Sequence, residues 1–336
     1  MVNGKKLVVS ASPHLRSPQT TTRIMLDVVI ALIPALIAAI FIFGPRVLCV
    51  AAVSVSSAVL AEYVSRKVMK RHQTIGDFSA VVTGLILALN LPSTIPYWIA
   101  AIGSIVAIVV VKQFFGGIGQ NFANPAITAR IILLLSFGAQ MGNWATPLSW
   151  KTGITTSATP LAVGYEAMEG EIGVSLLDMF LGLRGGCLGE TCALALILGG
   201  IYLIARKVIS PAIPLTYIGT VALIMLIAGK GDLGFVAYQV MGGGLLLGAF
   251  FMATDYSTCP IKVRGKIIFG IGCGVITTVI RLFGSLPEGV SFSIILMNLL
   301  VPHIERLTTA KPFGTPKKDK KAEKAAKKTE KEAAKA

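Results

Sequence analysis

Residues 88–96 read ALNLPSTIP and residues 253–260 read ATDYSTCP. Each stretch follows an apolar run that contains Gly and precedes another that ends in Phe-Gly, at Phe115 and Gly116 in the first case and Phe283 and Gly284 in the second. The first set continues to Asn121, Asn124 and Pro125, the second to Asn298 and Pro302. With five apolar segments in each half, the two copies must run in opposite orientation. That is the inverted repeat in which broken helices meet near the bilayer midplane around a ligand or ion site. Membrane segments share composition, so chance similarity is the competing explanation.

Working outward, the 336 residues are 54% hydrophobic and 14% charged, with a mean hydropathy of +0.75. Soluble domains carry about 25% charged residues, so composition excludes a soluble enzyme and a disordered chain. Apolar runs approaching ~20 residues without alternation exclude a transmembrane β-barrel. The fold class expected is an all-α polytopic membrane protein of about ten helices, at 24–43, 47–65, 77–90, 97–111, 125–141, 188–205, 211–229, 234–252, 265–281 and 289–304. The first run is full length and a second follows at once, so it reads as a span and not as a cleaved signal peptide. The organisation expected is an N-terminal segment 1–23, a five-helix repeat 24–141, an extracytoplasmic loop 142–187, a second repeat 188–306 and a tail 307–336.

The formal net charge is +15, but residues 311–336 alone hold ten Lys against four acids. With almost no apolar residues this tail reads as disordered, lying against anionic lipid at the cytoplasmic face. No aromatic follows Phe313 among its lysines, so nucleic acid is not an expected partner. Placing the N-terminus in the cytoplasm gathers Arg66, Lys67, Lys70, Arg71, Lys112, Arg206, Lys207, Lys262, Arg264, Lys266 and the tail on that side. Only Arg46, Lys151, Arg184, Lys230 and Arg281 remain on the other. This asymmetry puts both termini inside.

Candidate chemistry is sparse. Cys49, Cys187, Cys192, Cys259 and Cys273 contain no CxxC pair, so no cluster or zinc spacing exists within the chain. Acids at membrane depth need a partner, water or an ion; those identified are Asp27, Asp77, Glu190 and Asp255. Asp255 sits in the repeated turn, where carbonyls freed by a helix break could join it around Na⁺ or take part in H⁺ coupling; a helix-terminal Asp facing water is the alternative. Asp27 and Asp77 read as first-turn residues facing a helix dipole. The segment 114–124, FFGGIGQNFAN, offers Gly116 and Gly117 for close approach to a planar ligand and Gln120, Asn121 and Asn124 for its polar edge. Helix packing and capping explain the same residues. Thr155, Thr156, Ser157 and Thr159 form an ordinary hydroxyl-rich loop by composition.

Taken together, SPHLRSP near Ser12, TGLILALNLP, KQFFGGIGQNFANPA, ATPLA, LGETCALALILGGIYLI, GAFFMATD and MNLLVP resemble a known family. It comprises the RnfD components of Rnf complexes and the related NqrB of sodium-pumping NADH:quinone oxidoreductases. The chain has the length of the Rnf proteins and lacks the long N-terminal extension of NqrB. The resemblance implies a urea-transporter-like fold in a prokaryotic inner (plasma) membrane. It also implies membership of a ferredoxin:NAD⁺ oxidoreductase coupled to Na⁺ or H⁺ transport, with the other Rnf subunits (A, B, C, E, G) as partners and ferredoxin and NAD⁺ reached through them. Two cofactors follow from it: FMN in phosphoester linkage to a threonine of an S/T-G-A-T motif, here Thr159 with Ser157 in place of Gly, and a noncovalent riboflavin among the helices. The alternative class is a solute channel or transporter of the same fold with no redox role, and a third is a membrane scaffold for redox partners.

Overall fold

The structure is a computed structural model that describes residues 19–153, 159–163, 175–284 and 289–309. Its principal elements are α1 (Thr21–Phe43), α2 (Arg46–Val68), α3 (Ser79–Leu89) and α4 (Tyr97–Ile105, continuing as a π-helix over Val106–Gln113). They are followed by α5 (Pro125–Ser136), α6 (Ala193–Ala205), α7 (Ala212–Ala228), α8 (Leu233–Met241) and α9 (Leu245–Met252). The last two are α10 (Val263–Phe283) and α11 (Val290–Thr308). Among the described residues there is no β-strand.

Four helices, α1, α2, α10 and α11, are long and apolar enough to cross a membrane, and the bent pair α8 and α9 makes a fifth candidate. The chain is a multi-pass membrane protein. The remaining apolar helices are shorter; α3, with 11 residues, rises only about 16 Å, roughly half the hydrocarbon thickness. Exposed Phe41, Leu60, Leu215, Leu223, Ile227 and Val279 clothe the outside in apolar side chains, as lipid contact requires.

Helices approach through small residues, because lipid provides no hydrophobic drive for their association. α1 packs on α6, α2 on α3 and α4, and α7 on α10. A Cβ on Gly199 would stand 2.2 Å from the Ala31 carbonyl, and one on Gly270 or Gly274 would meet Thr216 or Thr220 of α7 at 2.0 and 2.6 Å. One continuous core runs from α1 to α11.

Three expectations are corrected. The segment 234–252 is not one helix: it bends by 64° between α8 and α9. Gly242, Gly243 and Gly244 offer no side chain to hold a helical turn, and Gly243 adopts φ +60°. Carbonyls released at the break are capped from elsewhere, Gln239 and Gly242 by Arg281 at 2.5 and 3.0 Å and Met241 by Arg184 at 2.6 Å. The helix expected over 125–141 divides at Phe137, and that expected from 188 begins at Ala193, after a turn that threads Gly189 against Leu89.

Candidate functional site

The second repeated turn and the end of the glycine-rich segment line a cavity of about 330 Å³, which the first turn, residues 88–96, does not reach. Met25 and Val28 of α1, Ile86 of α3 and Phe250 and Phe251 of α9 give it apolar walls, while Ser79, Lys112, Asn121, Asn124 and Asp255 form a polar edge. Asn124 is placed by its own helix. Its Oδ1 caps α5 by accepting from the Ala126 and Ile127 N–H groups at 3.0 and 3.4 Å, and its Nδ2 donates to the Met252 carbonyl at 3.1 Å. The Asn298 amide, oriented so that both ends are satisfied, donates to the Thr258 carbonyl at 3.0 Å and accepts from the Asn124 N–H at 3.2 Å. A chain of buried amides therefore ties the two halves together beside the cavity. Asn121 presents a buried Oδ1 that has no hydrogen-bond partner among the described residues.

Asp255 closes the second turn. Its Oδ2 accepts from the Ser257 and Thr258 hydroxyls at 2.8 and 3.1 Å. Enclosure by protein raises its carboxyl above the ordinary aspartate range, against the pull of these hydrogen bonds. No group of three His, Cys, Asp or Glu side chains among the described residues could hold a metal ion.

A buried polar network adjoins the cavity through Lys112. Its Nζ lies 2.9 Å from Glu62 Oε2 and donates to Ser79 Oγ at 2.6 Å. Glu62 Oε1 accepts from Gln113 Nε2 and Thr74 Oγ1, both at 3.0 Å, and Arg66 stands 3.7 Å away. The π-helical turn at the end of α4 delivers both Lys112 and Gln113 to this carboxylate.

A second, smaller cavity of about 160 Å³ includes Thr159, Arg130, Trp144 and Ser291 among its lining residues. Thr159 is buried, and the carbonyl of the next residue, Pro160, accepts a hydrogen bond from the Tyr238 hydroxyl of α8. Arg130, on α5, donates to Ser291 Oγ at 2.8 Å and to Cys187 Sγ at 3.4 Å.

Residues 8–314 match the model of the NQR2, RnfD, RnfE family. The chain belongs to this family. It is 47% identical to the D component of the Na⁺-translocating ferredoxin:NAD⁺ oxidoreductase complex of Acetobacterium woodii, over 96% of this chain and 99% of that one. It is 42% identical to the D component of the proton-translocating ferredoxin:NAD⁺ oxidoreductase complex of Clostridium ljungdahlii, over 91% and 96%. To the D component of the ion-translocating oxidoreductase complex of Stutzerimonas stutzeri it is 38% identical, over 87% and 92%.

For this RnfD-family chain, Asn121, Asn124 and Asp255 come together at one cavity, as their spacing in sequence does not reveal. Gly116, Gly117 and Gln120 do not line it. Ile118 and Gly119 of the same segment do reach it, whereas Gly116 and Gly117, both at positive φ, lie outside, Gly117 sits against the Arg66 guanidinium and Gln120 is exposed. Asp27 is no first-turn residue: it lies on the second turn of α1, is buried, and accepts from Tyr202 at 3.0 Å and pairs with Arg206 at 3.4 Å, joining α1 to α6. Asp77 ends a short 3₁₀ turn, Ile75–Asp77, just before α3 and not in its first turn, and it accepts from the Ser79 N–H and hydroxyl. Lys112, expected at the cytoplasmic surface, is buried. Thr156, Ser157 and residues 310–336 of the tail lie outside the described residues. Sequence reasoning missed Glu62 and Arg130, although each is an ionised group inside an apolar run.

Proposed function

We propose that the chain is the membrane-embedded, flavin-carrying RnfD component of an Rnf-type complex, which passes electrons between ferredoxin and NAD⁺ while moving Na⁺ or H⁺ across a prokaryotic inner membrane. The observation that carries this reading is 47% identity to such a component over nearly the full length of both chains. Its partners are the other members of that complex, and both termini face the cytoplasm. Counting α3 to α7 as short spans beside the four long helices and the bent pair gives ten crossings in two inverted halves, the arrangement expected of a urea-transporter-like fold. The relatives reported above support this reading and not a redox-free solute channel.

Flavins supply one- and two-electron transfer, and the protein sets their place and potential. Thr159 offers the hydroxyl for FMN in phosphoester linkage, and the guanidinium and hydroxyl that share its cavity suit an anionic phosphate. The larger cavity suits riboflavin. Its ~330 Å³ falls within the ~300–1,000 Å³ usual for sites that bury a small ligand. Its apolar walls fit a flat ring, and the orphaned Asn121 Oδ1 fits the ring's N–H edge. Asn124 fixes the polar edge, and Asp255 supplies the carboxylate for cation or proton coupling at the same mouth.

The test is ferredoxin-dependent NAD⁺ reduction by inverted membrane vesicles, with ion uptake followed in parallel. Deleting the gene for this chain should abolish both, and restoring it should recover both. Undiminished activity in the deletion strain would overturn the assignment.

A further inference from the structure

The cavity at Thr159 is too small for a whole flavin. At about 160 Å³ it holds half the volume of the other cavity and falls below the ~300 Å³ at which small-ligand sites begin. A phosphate with part of its ribityl chain is the portion of FMN that such a space admits, with the ring system lying beyond it.

The lining is built for that portion. Arg130 is 4% exposed and extends from α5 to the cavity, its guanidinium steadied by Ser291 Oγ. Gly289, Ser291 and Phe292 belong to the start of α11, a 19-residue helix with no side-chain cap at its N-terminus. Its first intrahelical bond runs from the Ser293 N–H to the Gly289 carbonyl, which leaves the preceding N–H groups without intrahelical partners. A guanidinium, a hydroxyl and a helix N-terminus thus surround the same small space as Thr159, and all three favour an anion with several acceptor oxygens.

We infer that Arg130, Ser291 and the N-terminus of α11 seat the phosphodiester that joins FMN to Thr159, with Arg130 acting as a positioning residue. This inference rests on the flavin attachment proposed above. Attachment forms a bond from Thr159 Oγ to the flavin-side phosphorus of a flavin adenine dinucleotide. It breaks that phosphorus's bond to the departing adenylate and passes the hydroxyl proton to the attaching enzyme; no electrons change hands. The bound phosphodiester carries one negative charge against the Arg130 guanidinium. Lys in its place would keep the charge and lose the two-pronged fork.

The experiment is a double-mutant cycle in the complete complex, comparing wild type, Thr159→Val, Arg130→Gln and the double variant, with Arg130→Lys as a milder companion. Thermal unfolding is measured alongside the mass of the peptide that contains Thr159. Wild type carrying the FMN increment should unfold about 3 °C above Thr159→Val, and that difference should vanish in the Arg130→Gln background and be reduced in Arg130→Lys. A folded Arg130→Gln chain that lacks the increment supports the seat equally. Full labelling with an unchanged flavin-dependent shift in both Arg130 variants would overturn it. A wild-type chain without any increment would instead remove the flavin attachment itself, and the mass measurement separates the two failures.

Discussion

The ammonium of Lys112 lies 2.9 Å from Glu62 Oε2, and both side chains are sealed from solvent, at 2% and 0% exposure. Buried ion pairs contribute little net stability when intact, but removing one partner leaves an uncompensated charge that costs ~3–5 kcal/mol. Lys112→Met should therefore lower the stability of the chain by about that amount, measured by unfolding in detergent. Adding Glu62→Gln should recover part of the loss, because the carboxylate left without Lys112 is then neutral, while the Arg66 guanidinium 3.7 Å from Glu62 loses its carboxylate and limits the recovery. Additive losses in the double variant would show that the two groups do not act as a pair.

The contact of α1 with α6 depends on Gly199, where an added Cβ would stand 2.2 Å from the Ala31 carbonyl. Gly199→Val should push the helices apart and break the Asp27 contacts to Tyr202 and Arg206 one to two turns further along α6. The expected result is loss of the folded chain from membranes on expression. Gly219→Val serves as the control, because nothing lies within 4 Å of its added Cβ.

Cys259 reports on the charge of Asp255. Burial first, and the neighbouring Asp255 carboxylate second, push its thiol up to about 11. The thiolate fraction at a given pH is therefore smaller in the folded chain than in the unfolded one. Alkylation of the Cys259 peptide, followed by mass, should stay slow at pH 8 and rise toward pH 11. Asp255→Asn should move the profile to lower pH, and an identical profile would contradict the proximity of the two charges.

Charge bias predicts the sidedness of the chain. Lys151 and His72 are exposed at turns that it assigns to opposite faces. A cysteine at Lys151 should react with an impermeant thiol reagent applied to intact cells, and one at His72 only after the membrane is opened. The reverse pattern would invert the topology.

The four long helices were legible because an uninterrupted apolar run of bilayer length has one stable solution in lipid. The break between α8 and α9 was not. Gly242, Gly243 and Gly244 look in sequence like the small residues that let helices pack, as Gly199 does, and only the guanidiniums of Arg184 and Arg281 show that carbonyls are released there. Asp255 was found from its place in the repeated turn, and Asn121 and Asn124 as the amides of a glycine-rich segment, yet their meeting at one cavity depends on folding of one half against the other. Glu62 and Lys112 stand 50 residues apart, so no local pattern joins them. Arg130 was visible as a lone cation within ITARIILLLS, a signal that charge bias alone passes over because it counts loops.

The central claim is that this chain carries FMN on Thr159, and mass mapping of the denatured chain, co-expressed with a flavin-attaching enzyme, tests it most directly. A phosphoester survives denaturation, so one FMN-sized increment should appear on the peptide containing Thr159. It should be absent in Thr159→Ala and kept in Thr156→Ala. An increment on another residue, or none at all on a chain assembled in its complex, would contradict the account.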